Sequence, residues 1–163
     1  MSKTLLITGA NRGIGLEMTW QATARGDTVI ACTRNALESP DLVALAKQHN
    51  AITVLGLDVT AETDMKQIAA GMRRSIDILV CNAGTLNSNG GLQDPAHDTA
   101  TIENVLMTNI AGVFLTARSF LPHLLDGTPG KIAVISSIMG SQELASSNAP
   151  IYRASKAAAT NLA

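Results

Sequence analysis

Thr4-Leu5-Leu6-Ile7-Thr8-Gly9-Ala10-Asn11-Arg12-Gly13-Ile14-Gly15 passes from an apolar β-type run through a glycine turn, and a helical stretch from Leu16 to Arg25 follows. Strand, glycine turn and helix is the setting in which a dinucleotide fingerprint has physical meaning. Gly9 permits a tight exit from the strand. Gly13 lets the backbone approach a pyrophosphate, and Gly15 lets the helix pack close on the sheet. The spacing is G-x-x-x-G-x-G, not G-x-G-x-x-G, so the flanking strand and helix carry the reading and the generic motif does not.

Outward from this turn, apolar β-type runs alternate with helical stretches. Strands are expected at Thr4–Thr8, Thr28–Thr33, Ile52–Leu57, Ile76–Cys81 and Lys131–Ser136. Helices are expected at Gly13–Arg25, Pro40–Asn50, Ala61–Arg73, from about Asp98 to Leu125, and from Pro150 to the end. Nearly continuous apolar strands imply a sheet covered on both faces. Strict alternation with short links predicts one α/β domain over 1–163, a Rossmann-type doubly wound parallel sheet of about five strands. Ligands in such sheets sit at the carboxyl ends of the strands.

Bulk properties narrow the function classes. The chain has 163 residues, 46% hydrophobic and 15% charged, which suits a sizeable core. Net charge is −1 and aromatics are 2%, so neither phosphate neutralisation nor base stacking is provided for; no nucleic-acid partner is expected. No stretch is expected to reach membrane-span length, and no membrane association is expected. Cys32 and Cys81 stand far apart in apolar runs and read as reduced core residues of a cytoplasmic protein. His49, His97 and His123 lack metal-ligand spacing and read as surface or helix-end residues; no metal is expected.

The polar residues fall at strand ends. Cys32-Thr33-Arg34-Asn35 closes the second strand, where an NAD site would place an acid on the ribose hydroxyls. Arg34 can instead fork onto a 2′-phosphate, and Arg12 in the glycine turn can reach the same group. The plainer alternative is a pair of solvated loop arginines; NADP(H) is favoured over NAD(H). Asp58-Val59 ends the third strand and Asn82-Ala83-Gly84 the fourth, consecutive positions that read as a cofactor rim. Asn109 sits mid-helix among apolar residues, where a buried amide needs partners. Ser137 follows the fifth strand.

Tyr152, the one tyrosine of the chain, and Lys156 are four apart in Ile151-Tyr-Arg-Ala-Ser-Lys156. On a helix that spacing puts both on one face. An ammonium beside a phenol favours the phenolate, which suits acid/base work on an alcohol or ketone. An isolated pair of this kind is also an ordinary exposed helix face, so its weight comes from the nucleotide-binding pattern upstream.

As an ordered set, the Thr8–Gly15 turn, Asp58, Asn82-Ala83-Gly84, Asn109, Ser137 and Tyr152 with Lys156 resemble the classical short-chain dehydrogenase/reductase family. The stretch from Ser137 to Tyr152 is similar to that of the carbonyl-reductase branch with the C-factor and sniffer proteins, which are NADPH-linked. The resemblance implies that Gly9, Asn11, Arg12, Gly13, Ile14, Gly15, Arg34, Asp58, Val59, Asn82, Ala83, Gly84, Tyr152 and Lys156 bind NADP(H). It implies Tyr152 as proton donor and acceptor toward a carbonyl or alcohol substrate. Lys156 would favour the phenolate and hold the nicotinamide ribose, Ser137 would orient the carbonyl, and Asn109 would place a water linking Lys156 to solvent.

Family members continue beyond the position of Ala163, so C-terminal strands are expected to be missing and the fifth strand to stand as an edge. Two readings follow: an NADP(H)-dependent oxidoreductase, or a related nucleotide-binding or assembly module without turnover. A homo-oligomer is expected through the long helix (Val105, Ile110, Val113, Phe114, Leu115) and the Tyr152 helix (Ala154, Ala157, Ala158, Ala159).

Overall fold

The computed structural model describes residues 2–125 and 130–163. Five strands, β1 (Thr4–Thr8), β2 (Thr28–Thr33), β3 (Ile52–Gly56), β4 (Ile78–Cys81) and β5 (Lys131–Val134), form one sheet in the order β3-β2-β1-β4-β5. Every pairing is parallel. The helices are α1 (Gly13–Ala24), α2 (Pro40–Gln48), α3 (Glu62–Gly71), α4 (Thr99–Leu106), α5 (Gly112–Leu124) and α6 (Pro150–Leu162). The expected Rossmann-type architecture is present.

Side-chain alternation along β1 shows why helices lie on both faces. Leu6 joins Met65 and Ala69 of α3 and Val113, Phe120 and Leu124 of α5 in one core. Leu5 and Ile7 point the other way and meet Ala22 of α1 and Leu42 of α2. On α1 the buried positions are Gly15, Thr19, Ala22 and Thr23, a helical stripe of small residues that brings this helix close to the sheet. Thr19 and Thr23 satisfy their hydroxyls internally by donating to the carbonyls of Gly15 and Thr19, both at 2.8 Å.

Several expectations need correction. Burial of all but the first residue holds for β1, β2 and β4 but not for β3 and β5, the edges of the sheet among the described residues; β5 stands as the expected edge, and Ile132 on it is exposed. β4 starts at Ile78, not Ile76, because the Ile76 amide donates to the His123 carbonyl at 2.9 Å instead of joining a strand. The long helix is interrupted: Met107–Ala111 forms a π-helical turn between α4 and α5, a wide turn that residue propensity does not encode. This helix, Thr99–Leu124, is 26 residues long and apolar enough to cross a membrane, contrary to the expectation that no stretch would be. Its Val105, Val113, Phe120 and Leu124 are buried, so it meets that criterion as a helix with a core-facing side. Val105 and Val113 therefore serve the core and not an intersubunit face. Ala159 is likewise fully buried, whereas Phe114 is half exposed.

Candidate active site

The topological switch point lies between β1 and β4, whose outward connections run in opposite directions across the sheet. Thr8 and Asn82 lock the two strand ends together there. The Thr8 hydroxyl accepts from the amides of Asn82 and Ala83, each at 3.0 Å. The Asn82 side chain donates to the carbonyls of Thr8 at 2.9 Å and Gly9 at 3.1 Å. Asn82 thus shapes the turn with its amide while bordering the cleft. Gly15 is buried beneath: a Cβ there would overlap the Gly9 carbonyl oxygen and come within 2.6 Å of Asn82 Nδ2. Its work is packing, and it does not line the cleft assigned to it from sequence. Gly9 and Gly13 take positive φ values of 65° and 55°, which glycine adopts without strain.

A cleft of about 440 Å³ opens over this turn, bordered by Gly9, Asn11, Arg12, Gly13 and Ile14, by Arg34 after β2, by Asp58 and Val59 after β3, and by Asn82, Ala83 and Gly84 after β4. One Asp58 oxygen accepts from the amide and hydroxyl of Thr60, at 2.9 and 2.7 Å, which orients the carboxylate in its turn. Asn35, Ser39, Asn104 and Thr108 also line the cleft, and sequence reasoning passed over them. Arg12 and Arg34 are exposed, and among the described residues neither is paired with a carboxylate.

A second cleft, about 320 Å³, is bordered by Tyr152, Lys156, Ile135, Ser136 and Leu86. It shares Arg12, Ile14, Asn82, Gly84 and Thr85 with the first, so the two form one trough from Arg34 to Tyr152. Lys156 is 5% exposed, and its ammonium donates to the Ile135 carbonyl at 2.8 Å. Burial holds its pKa below the ordinary lysine value. The Lys156 nitrogen lies 5.8 Å from the centre of the Tyr152 ring, so α6 puts both on one face as the spacing implied.

Asn109 and Ser137 are each engaged in hydrogen bonds within the fold. Asn109 is 1% exposed in the π-helical turn and borders neither cleft. Its Oδ1 accepts from the Thr85 amide at 2.8 Å, while Nδ2 donates to the Thr85 carbonyl and the Ser155 hydroxyl, both at 2.9 Å. The amide therefore ties the β4 loop to α6. Ser155 in turn donates to the Tyr152 carbonyl at 2.7 Å. Its place three residues after Tyr152 was the available sequence signal. The Ser137 oxygen accepts from the Met139 amide at 3.1 Å and heads the short turn Ile138–Gly140; the adjacent Ser136 borders the Tyr152 cleft.

His49, His97 and His123 are half-buried, and among the described residues no cluster of three or more metal-ligating side chains occurs. Cys32 and Cys81 are free and buried.

Residues 3–163 match the family described as short chain dehydrogenase. The chain belongs to that family. It is 33% identical over 145 residues to the NADPH-dependent pterin aldehyde reductase of Arabidopsis thaliana, a match covering 85% of this chain and 58% of that protein. To 2-(R)-hydroxypropyl-CoM dehydrogenase of Xanthobacter autotrophicus it is 36% identical over 147 residues, covering 85% of this chain and 57% of that one. A crystallised carbonyl reductase from Pseudomonas aeruginosa PAO1, in complex with NADP, matches with a TM-score of 0.86 at 33% identity. That match covers 99% of this chain and 70% of the reductase. The chain thus spans little more than half the length of the curated relatives it matches.

Proposed function

We infer that this chain is the cofactor-binding and proton-transferring part of an NADP(H)-dependent oxidoreductase acting on a small carbonyl or alcohol substrate. The trough from Arg34 to Tyr152 carries this reading: it joins a glycine turn suited to phosphates to the one phenol and a buried ammonium. Two exposed arginines, neither paired with a carboxylate among the described residues, fit the extra phosphate of NADP(H). The relative from Arabidopsis that is named NADPH-dependent supports the same choice.

Hydride exchange at carbon is the chemistry that a nicotinamide supplies when bound. The chain's own residues handle the rest. Tyr152 gives or takes the proton at the substrate oxygen, and Lys156 favours the phenolate and binds the ribose. Ser137 orients the carbonyl with the hydroxyl hydrogen that its bond to Met139 leaves available. Asn109 acts at one remove, through Thr85 and Ser155. The setting is cytoplasmic, in keeping with two buried free thiols, and the assembly is a homo-oligomer through the exposed side of α5 and α6.

Titration of the chain with NADPH and NADH, followed by NADPH oxidation assays with simple aldehydes and ketones, tests the reading. Tighter NADPH binding and carbonyl-dependent oxidation are expected. Arg34→Asp is expected to weaken NADPH binding more than tenfold, the loss of a charge-assisted contact of ~1.5–3 kcal/mol. Equal affinity for the two cofactors refutes the NADP(H) assignment. Binding without turnover selects the alternative, a nucleotide-binding or assembly module.

A further inference from the structure

Ala149, the residue before α6, is the one non-glycine among the described residues with positive φ, at φ 45° and ψ 50°. A left-handed conformation is unfavourable for an L-residue and persists only where its surroundings impose it. Ala149 is fully buried, and Pro150 follows as the first helical residue, fixing the path on into α6. Tyr152 comes two residues later, so the conformation of Ala149 sets the direction in which the phenol's helix starts.

One interaction outside α6 reaches this cap directly: the Ala149 amide donates to the Gly90 carbonyl at 2.8 Å. Gly90 belongs to the segment between β4 and α4, which is wound around Asp94. The Ser88 hydroxyl donates to one Asp94 oxygen, and the Ala96 amide donates to the other at 2.9 Å. The Gly90 amide donates to Ser88 Oγ at 3.0 Å, and the Asp94 amide to the Gly91 carbonyl at 3.0 Å. His97 Nε2 lies 3.3 Å from the same Gly90 carbonyl. A Cβ at Gly90 would overlap the Asp94 carboxyl, so only glycine fits while Asp94 holds its place.

We propose that residues 88–97 are a positioning clamp for Tyr152, in which Asp94 fixes Gly90 and the Gly90 carbonyl holds Ala149 in the left-handed turn that aims α6. Gly90, Asp94 and Ala149 are positioning residues: none borders the trough. The proposal rests on the role given to Tyr152 above.

Because Tyr152 is the only tyrosine, selective isotope labelling yields a single tyrosine ring spectrum that reports on the site without turnover. The experiment compares the 163-residue chain with Gly90→Ala, Asp94→Ala and Asp94→Asn, with and without NADPH. The parent chain is expected to show one set of ring signals that moves with NADPH; absence of that response refutes the functional reading and leaves the clamp to be judged on the free-chain spectra. Gly90→Ala and Asp94→Ala are expected to shift or split the ring signals while methyl signals of the core stay in place. Asp94→Asn, which keeps an acceptor for Ala96 and a polar partner for Ser88, is expected to restore the parent spectrum. Where carbonyl reduction is measurable, the two alanine variants should lose about 10²-fold in kcat with the NADPH Kd unchanged. If Gly90→Ala does not fold, Asp94→Ala decides on the same signals. Ring signals that superimpose on the parent in the folded alanine variants, or Asp94→Asn shifting them as far as Asp94→Ala, overturn the clamp.

Discussion

The Lys156 ammonium stands 5.8 Å from the centre of the Tyr152 ring, buried and anchored to the Ile135 carbonyl with no carboxylate partner among the described residues. An ammonium in this position burdens the fold, because desolvation disfavours its charged form. It suits a group whose charge is used by something that enters the trough. Stability and function therefore pull in opposite directions at this residue.

Lys156→Met keeps the aliphatic stem and removes the buried charge. The expected outcome is an unchanged or higher melting temperature together with weaker NADPH binding and no turnover. Tyr152→Phe should differ: fold and cofactor affinity are retained, and only carbonyl reduction is lost. Thermal melts, NADPH titration and NADPH oxidation on the two variants check both parts. Turnover surviving in Tyr152→Phe would remove the phenol from the chemistry.

Two glycine positions with opposite surroundings give a paired test of the turn. At Gly15 a methyl group has no space between the Gly9 carbonyl and the Asn82 amide. Gly15→Ala should destabilise by about 1–3 kcal/mol, the usual range for overpacking, and should weaken NADPH binding with it. At Gly71, the last residue of α3, a Cβ meets nothing within 4 Å and φ is not positive. Gly71→Ala should stabilise by up to about 1 kcal/mol. Denaturant titration of the two variants reads both signs.

What sequence made legible and what it concealed divides along physical lines. The β1–turn–α1 unit is local: apolar run, glycines and small-residue stripe lie within about one strand and one helix, so its form followed from pattern. The Tyr152/Lys156 pair is local too. The π-helical turn is not, because the wide turn around Asn109 accompanies bonds from its amide to Thr85 and Ser155, which lie 24 and 46 residues away in sequence. Thr8 and Ser155 look like ordinary polar residues until the fold sets them against Asn82 and Asn109. Edge position is equally nonlocal. Ile132 belongs to an apolar run like those of the inner strands; the edge position of β5 was expected from the family resemblance and not from the run itself, and the strand order gives β5 one neighbour among the described residues.

Alkaline stability should be governed by the two buried thiols. Burial pushes both Cys32 and Cys81 from the model-compound value of 9.0 up to about 12. Between those values the unfolded chain has released these protons while the folded chain holds them. The unfolded state thus binds fewer protons, and stability falls as pH rises, by up to about 1.4 kcal/mol per pH unit for each thiol. Lys156 acts in the opposite sense: its folded pKa is depressed below 10.5, so its contribution rises with pH until the unfolded lysine also loses its proton. Two thiols against one ammonium leave a net loss above pH 9. Urea titrations across the alkaline range should show that loss, and a Cys32→Ala/Cys81→Ala variant, less stable at neutral pH, should show a flatter dependence. A parent chain whose stability is level from pH 9 to 11 would contradict the assignment.

The assembly prediction concerns which apolar surface meets a second copy. On α5, Phe114, Leu121 and the adjoining Leu125 are exposed at spacings of seven and four, which places them on one stripe, and Arg118 lies 5.3 Å over the Phe114 ring. On α6, Ala154 is exposed and Ala157 and Ala158 are half-buried, a surface that permits close helix approach. The competing surface is the free side of β5, where Ile132 is 44% exposed and unpaired strand groups invite edge-to-edge association. A helix-mediated oligomer should fall apart in a Phe114→Glu/Leu121→Glu variant, since a carboxylate buried against an apolar partner is strongly disfavoured. It should persist in Ile132→Lys, a change that discourages strand pairing and leaves α5 untouched. Light scattering on the parent and both variants separates these cases. A monomeric parent, or dissociation by Ile132→Lys alone, would defeat the helix interface.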